Sequence, residues 1–472
     1  MKYIIGLVAL AALMLGDAGC RKFVQAPLPT TELVGAAVYN TNQTAASAVS
    51  GILSTMESNS IGGGPTGISA LVGLSADDFV LYPGANILLQ QVYLNAQVSS
   101  TPPGIWSNLY NVIYQANSAI SGITSSAGVT SSMKQQLVGE AECTRAFCYF
   151  YLVNLYGDVP LVLTPNYQES EGLGRAPAAE VYSQIKADLM AAEAALSQNY
   201  LAPDGSTTSE RVRPNAGVAA ALLARVYLYS GNYDSAEVEA NNVINNSNYS
   251  LVMDLDSAFM VSNTEAIWQL EAPDNNFDAP DGGVFLLSAF GGPSSNFPYI
   301  LSDSLEYHFE PGDLRKQHWT DSIAVNGDIY YYPFKYKYYY TGNAPVEYPT
   351  LIRLAEMYLV RAEARAQQGR LTGPTGALAD LNAIRTRAGL GPSTAISQAD
   401  VLAAIMRERR FEFFTEYGHR WMDLKRTVTL DGVMQTATFL KGGTWTSTDS
   451  LYPIPLKDIS SDTKLMQNPG YN

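Results

Sequence analysis

Residues 220–236 read Ala-Ala-Leu-Leu-Ala-Arg-Val-Tyr-Leu-Tyr-Ser-Gly-Asn-Tyr-Asp-Ser-Ala, and this run constrains the fold more than any other part of the chain. Small residues recur in it where two helices must approach closely. Gly231 ends the first helix, because glycine takes the left-handed backbone of a helix C-terminus without steric cost. Asp234 and Ser235 can cap the second helix by accepting from its free N–H groups. The product is an antiparallel helix pair joined by a tight turn. A looser pair follows at Tyr358–Arg365, Gly369 and Ala377–Ile384, and residues 140–156 with 177–198 form a third. Such a pair cannot bury its apolar face alone, so at least three must stack.

The Gly-Asn-Tyr-x-x-Ala turn is typical of tetratricopeptide repeats, and the expected fold is mainly α. Apolar periodicity predicts helices at 44–57, 105–122, 131–156, 177–198, 214–230, 233–247, 350–368, 375–388, 398–416 and 419–426. Residues 59–104 and 248–348 break the pattern with Gly, Ser and Pro and read as long irregular excursions carrying a few short strands. Connections this long on a rigid scaffold are where binding residues concentrate.

Met1 to Gly19 reads as a signal peptide: Lys2, then the apolar run Ile4–Leu15, too short to span a bilayer, then small residues before Cys20. That order predicts lipid attachment at Cys20, although Asp17 stands where such signals usually carry Leu. Residues 20–43, with Pro27 and Pro29, form the tether. Acidic residues outnumber basic ones 44 to 29, a net charge of -15, and no Lys/Arg-rich block offsets it, which argues against nucleic-acid binding. Cys143 and Cys148 are five apart in a helical pattern and are expected as buried free thiols. His308, His318 and His419 are scattered, so no metal site and no cofactor is expected.

Several side chains suit either packing or binding. Arg145, Phe147, Tyr149 and Tyr151 lie in a strongly apolar helix and read as core, with Arg145 paired to a carboxylate. Trp106 shares a helical face with Leu109, Tyr110 and Ile113. Arg407 to Glu412 alternate in charge and read as an ion-pair network between helices. Tyr330, Tyr331, Tyr332, Tyr336, Tyr338, Tyr339 and Tyr340 have a period near two and read as a hairpin strand with one buried face. Tyr82, Phe290, Phe297, Tyr299 and Trp319 fall outside the helical periodicity, in the two excursions, where their rings are candidates for ligand stacking.

A family resemblance follows from motifs in order along the chain. Gly19-Cys20-Arg21-Lys22-Phe23 resembles the mature N-terminus of SusD/RagB-type lipoproteins of Bacteroidetes-like bacteria. Arg145-Ala-Phe-Cys-Tyr-Phe-Tyr-Leu-Val-Asn-Leu-Tyr-Gly-Asp-Val-Pro-Leu161 resembles their central motif, and Trp106-Ser-Asn-Leu-Tyr110 with Asn117 an early helix. Arg353 to Glu363, Arg407 to Phe413 with Gly418 to Leu424, Tyr452-Pro-Ile-Pro455 and Gln467 to Tyr471 resemble their late elements. The resemblance implies a SusD-like fold with four tetratricopeptide-like pairs, an N-terminal region at 44–247 and a C-terminal region at 248–472. It implies a non-catalytic lipoprotein, anchored on the outside of the outer membrane, that captures an oligosaccharide and hands it to a SusC-like TonB-dependent transporter. A peptide ligand or a purely protein-docking adaptor are the alternatives, and hydrolysis through Asp77 or Asp78 is a third. The family also places an acidic residue near Asp77 beside the ligand loops, so Asp77 joins the candidate contacts. Starch-binding members carry tryptophans shortly before the Trp106-type helix; here that stretch is Asn95-Ala-Gln-Val-Ser-Ser100, which argues for a different platform.

Overall fold

A computed structural model describes residues 38–272 and 276–471. The expected signal peptide, Cys20 and most of the tether lie outside the described residues.

The chain opens with α1 (Asn42–Glu57), whose start is fixed by a reciprocal cap between Thr41 and Thr44. The first excursion then carries α2 (Ile68–Ser75), β1 (Phe79–Leu81) and α3 (Ile87–Tyr93). Five longer helices follow: α4 (Ile105–Ser125), α5 (Ser131–Tyr156), α6 (Ala178–Ala195), α7 (Ala216–Tyr229) and α8 (Tyr233–Ile244). The second excursion holds β2 (Ala266–Gln269), β3 (Tyr299–Leu301), β4 (Thr320–Val325) and β5 (Asp328–Pro333), and β6 (Thr350–Arg353) closes it. The chain then returns to α9 (Leu354–Gln367), α10 (Ala377–Arg387), α11 (Gln398–Phe413), α12 (His419–Arg426) and α13 (Leu430–Leu440).

The fold is mainly α, as expected. Helices α5/α6, α7/α8 and α9/α10 pack as pairs, α6 on α7 and α8 on α9 continue the stack, and α11 with α12 adds a shorter pair. In the α7–α8 turn Gly231 has φ +72°, but the cap differs from the reading of Asp234 and Ser235. The Asn232 side chain accepts from the Ser235 N–H. The left-handed residue delivers Asn232 to the cap position, which leaves Asp234 in the first turn.

Helix α5 is buried almost all round, so it is the axis of the core rather than an amphipathic surface helix. Phe147, Tyr149, Phe150 and Tyr151 are all fully buried, and Cys143 and Cys148 beside them are free thiols. Arg145 pairs with Asp188 at 2.7 Å and donates to Asn117 Oδ1 at 2.8 Å. Trp106 packs on Tyr110 and Tyr156. These residues serve the core.

The second excursion is clamped to this scaffold by buried charge. Glu412 of α11 meets Arg353 of β6, Arg387 of α10 and Arg315, the last at 3.1 Å. Glu265 accepts from Arg353 and Arg387, Glu416 from Arg353 and Lys335, and Glu408 and Asp313 from Arg315. Burial would raise the Glu412 carboxyl; the charges of Arg387, Arg353 and Arg315 outweigh it and hold the group far below the usual carboxylate range. Removing one partner from such a network costs about 3–5 kcal/mol, because a buried charge is left uncompensated.

Three antiparallel ribbons complete the excursions: β1 with β3, β2 with β6, and β4 with β5. Tyr330, Tyr331 and Tyr332 sit in β5 opposite Ile323, Ser322 and Asp321, the hairpin expected from their spacing. The remaining tyrosines leave the strand: Tyr336 is buried, whereas Tyr338, Tyr339 and Tyr340 are exposed. Helix α13 lies beyond the last helix expected from periodicity, because Gly432, Thr436 and Thr438 are poor helix formers that packing overrides.

Candidate functional site

The β1–β3 ribbon organises the site. Its register opposes Phe79 to Leu301, Val80 to Ile300 and Leu81 to Tyr299. Opposed residues share a face, so Phe79, Leu81, Tyr299 and Leu301 point one way and Val80 and Ile300 the other. The first set faces the core: Phe79 stacks on Phe285 at 5.3 Å and meets the edge of Tyr299 at 5.4 Å. Tyr299 is fully buried, and its hydroxyl donates to the Pro65 carbonyl at 2.5 Å. The expectation that its ring stacks on a ligand is therefore corrected; strand alternation puts it inward.

Trp319 is corrected in the same way. It ends the short helix Leu314–Trp319 and is fully buried, with its indole N–H donating to the Leu255 carbonyl at 2.9 Å. The Lys335 ammonium lies 4.7 Å from its ring centre, and Phe259 packs against its edge. The second excursion has a small core of its own, and Trp319 belongs to it.

Asp77 sits at one end of the ribbon. Its carboxylate accepts from Arg410 Nη2 at 2.8 Å and from Arg420 Nε and Nη2 at 2.7 and 3.0 Å. Its carbonyl accepts from the Ser302 and Ser304 hydroxyls. Burial would raise this carboxyl, but the Arg420 hydrogen bond and the Arg410 and Arg420 charges pull it down to about 2. Asp78 is buried beneath it, and burial followed by the Asp77 charge pushes it up to about 6. One carboxylate is locked in ion pairs and the other is enclosed, so the two do not form an acid pair facing each other across a cleft.

Beside Asp77 opens a cavity of about 520 Å³, lined by Val80, Tyr93, Ser304, Val433, Leu440 and Lys441 among others, with α3 and α13 as walls. Lys441 ends that wall: its ammonium donates to the Leu74, Ser75 and Ala76 carbonyls at the C-terminus of α2. Burial draws Lys441 down to about 7.

The exposed face of the ribbon leads from this cavity to a row of rings. Tyr82 continues β1 on the Val80 side and meets Tyr330 edge-on at 5.9 Å. Tyr330, Ile300 and Phe297 pack on the same small apolar cluster. Phe297 stacks on Phe290 at 3.7 Å with planes 6° apart. Phe290 meets Tyr339 at 5.5 Å, Tyr339 meets Phe277 at 5.4 Å, and Phe277 meets Tyr340 at 5.2 Å. Phe277, Tyr339 and Tyr340 are 36%, 36% and 62% exposed. The Gly282-Gly283 backbone is the floor under this row. A Cβ on Gly283 would fall 2.4 Å from the Tyr339 ring, and one on Gly282 would meet the Tyr338 carbonyl. From Asp77 to Tyr82 the extended chain covers about 16 Å, so the surface is longer than a monosaccharide.

The structure thus brings Asp77, Tyr82, Phe290 and Phe297 to one side and sends Tyr299 and Trp319 inside. Reading the sequence missed Tyr93, Phe277, Tyr339, Tyr340 and Lys441 as surface partners. Tyr339 and Tyr340 carried a signal, an aromatic pair past the last strand-period residue; Tyr93 and Lys441 carried none. A second cavity of about 680 Å³ lies between α7, α9, α11 and α12. Its lining charges are paired, Arg426 with Glu363 and Asp423, and Arg410 and Arg420 with Asp77.

Comparison with known proteins gives the lineage. Residues 315–471 match the family model described as SusD family, and residues 75–228 match the model described as starch-binding associating with outer membrane. The chain belongs to the SusD family. It is 28% identical over 418 residues to SusD-like protein P2 of Formosa agariphila, covering 78% of this chain and 80% of that one. SusD-like protein P25 of the same organism is 25% identical over 521 residues, 96% of both chains. The starch-binding protein SusD of Bacteroides thetaiotaomicron matches at 32% over 168 residues, 32% of this chain and 27% of that protein. Among solved structures, a laminarin binding SusD-like protein superposes with a TM-score of 0.74 at 24% identity, covering 92% of this SusD-family chain and all of the other. Surface glycan-binding protein A from Bacteroides fluxus superposes at 0.73 and 22% identity, over 91% and 99%. These structures share the fold.

Proposed function

We propose that this SusD-family protein is a non-catalytic capture protein for an oligosaccharide. It lies on the outside of the outer membrane, lipid-anchored through Cys20, and delivers its ligand to a SusC-like TonB-dependent transporter. The observation that carries the reading is the row Phe297–Phe290–Tyr339–Phe277–Tyr340, half-buried at its phenylalanine pair and exposed from Tyr339 to Tyr340, which lies along the Val80–Ile300 face of the ribbon from the Asp77 cavity. Sugar rings present C–H faces that stack on aromatic rings, and their hydroxyls exchange hydrogen bonds with serine hydroxyls and backbone groups such as those at Ser302 and Ser304. The names of the relatives point the same way: starch-binding protein, laminarin binding protein, surface glycan-binding protein.

Each stacked ring contributes about 0.5–1.5 kcal/mol beyond its burial. Two or three engaged rings with a few hydrogen bonds place the affinity at about micromolar to millimolar Kd, suited to holding a ligand until it is passed on. The locked Asp77 and buried Asp78 support capture rather than hydrolysis.

The test is a glycan and peptide binding screen of the soluble mature chain, followed by calorimetry and product analysis on any hit. A saturable oligosaccharide hit with no product formed is expected. A peptide hit with no glycan, or released sugar product, overturns the reading.

A further inference from the structure

We infer that the captured glycan is uncharged: this surface takes neutral oligosaccharides and disfavours those carrying sulfate or uronate groups. The inference rests on the capture reading above and concerns the same surface.

Three cations lie at the cavity or behind its Asp77, and each is already engaged. Arg410 and Arg420 hold the Asp77 carboxylate. Lys441 donates to three backbone carbonyls, and its burial favours the neutral amine over the ammonium. The charges of Arg410 and Arg420 are already opposed by the buried Asp77 carboxylate, so a sulfate or carboxylate entering the cavity competes with it for them. Farther along the surface the nearest lysines are also held: Lys316 by Glu306, and Lys337 by Asp256.

The exposed charges here that lack an ion-pair partner among the described residues are negative. Asp303 lines the cavity, is exposed, and makes no ion pair among the described residues. Asp321 and Asp328 are exposed on the β4–β5 hairpin that carries Tyr330. They stand on a chain of net charge -15, so no long-range positive potential offsets them. An anionic glycan therefore meets carboxylates on approach and engaged cations on arrival. A neutral glycan meets rings, hydroxyls and carbonyls, which ask for no counter-charge.

The experiment is calorimetry on the mature protein with a panel of neutral oligosaccharides (glucans, mannans, xylans, galactans). Three derivatives of each are run beside them: sulfated, oxidised at primary hydroxyls to carboxylates where present, and the methyl esters of the oxidised forms. The expected result is binding of at least one neutral member, with its sulfated and carboxylated forms weaker by about ten-fold or more at low salt and the gap narrowing as salt screens the exposed carboxylates. The methyl esters recover the lost affinity, which separates charge from bulk. Asp303→Lys narrows the gap several-fold, since it replaces an exposed carboxylate at the cavity with a cation. Equal or tighter binding of the charged forms, or binding of charged glycans alone, overturns the inference and leaves the capture reading standing. No binding by any glycan, neutral or charged, overturns the capture reading and this inference with it.

Discussion

Replacing Trp319 by alanine separates the two roles that an aromatic residue in an excursion can have. The side chain is fully buried, touches Phe259, lies beneath the Lys335 ammonium and donates to the Leu255 carbonyl. Emptying a site of this size costs about 3–5 kcal/mol. The stranded Leu255 carbonyl adds about 1 kcal/mol or more unless water reaches it. Trp319→Phe keeps most of the volume and loses the hydrogen bond, so it costs about 1–3 kcal/mol. Urea unfolding followed by circular dichroism reads both as lower midpoints at similar slope. Calorimetry under folding conditions then gives the glycan affinity of the folded molecules, expected within about two-fold of wild type for the phenylalanine variant, because conservative core swaps are absorbed locally. A Trp319→Phe or Trp319→Ala protein with an unchanged midpoint and abolished glycan binding would refute the argument, since it would place the ring against ligand.

Phe290→Ala and Tyr339→Ala are expected to do the reverse: glycan affinity falls about five- to ten-fold per ring, while unfolding midpoints move little. Gly283→Ala pushes a methyl into the Tyr339 ring and should lower affinity in the same assay, whereas Gly391→Ala, with open space around it, should not. Asp77→Asn removes the partner of Arg410 and Arg420 and costs about 3 kcal/mol at neutral pH. The folded carboxyl titrates near 2, below its unfolded value, so this contribution is complete above about pH 4 and disappears as pH falls toward 2. Denaturation of variant and wild type at pH 7, 5 and 3 should therefore show the gap closing only at the lowest pH. Cys20→Ser should release the protein from membranes into the soluble fraction.

The helical scaffold was legible because its signals are local. Predicted and observed bounds of α5 coincide at 131–156, and α12 at 419–426 likewise, since apolar periodicity and flanking Gly residues act within one or two turns. Arg145 was readable for a related reason: a guanidinium in an apolar helix must find a carboxylate, and Asp188 supplies it. The site was harder. Tyr299 and Trp319 look like Phe290 and Phe297 when only their positions outside the helices are known. What divides them is the β1–β3 register for the tyrosine and a core internal to the excursion for the tryptophan, and both depend on residues far away in sequence. Asp77 was readable as an acidic residue of this region, but not its pairing, because its two arginines arrive from α11 and α12, more than 300 positions later.

That separation bears on how the molecule comes into being. Lys441 closes the cavity by reaching carbonyls 365–367 positions earlier in the chain, and the Tyr452 hydroxyl bonds Ser75 across 377 positions. Contacts of such high sequence separation form late, after the loop-closure entropy has been overcome. The stacked helices can gather as each pair is completed, but the ligand cavity has no far wall until the last few dozen residues are available. In synthesis from the N-terminus this cavity is thereby the last feature completed, and a product truncated before residue 430 would keep much of its helical scaffold yet lack this wall.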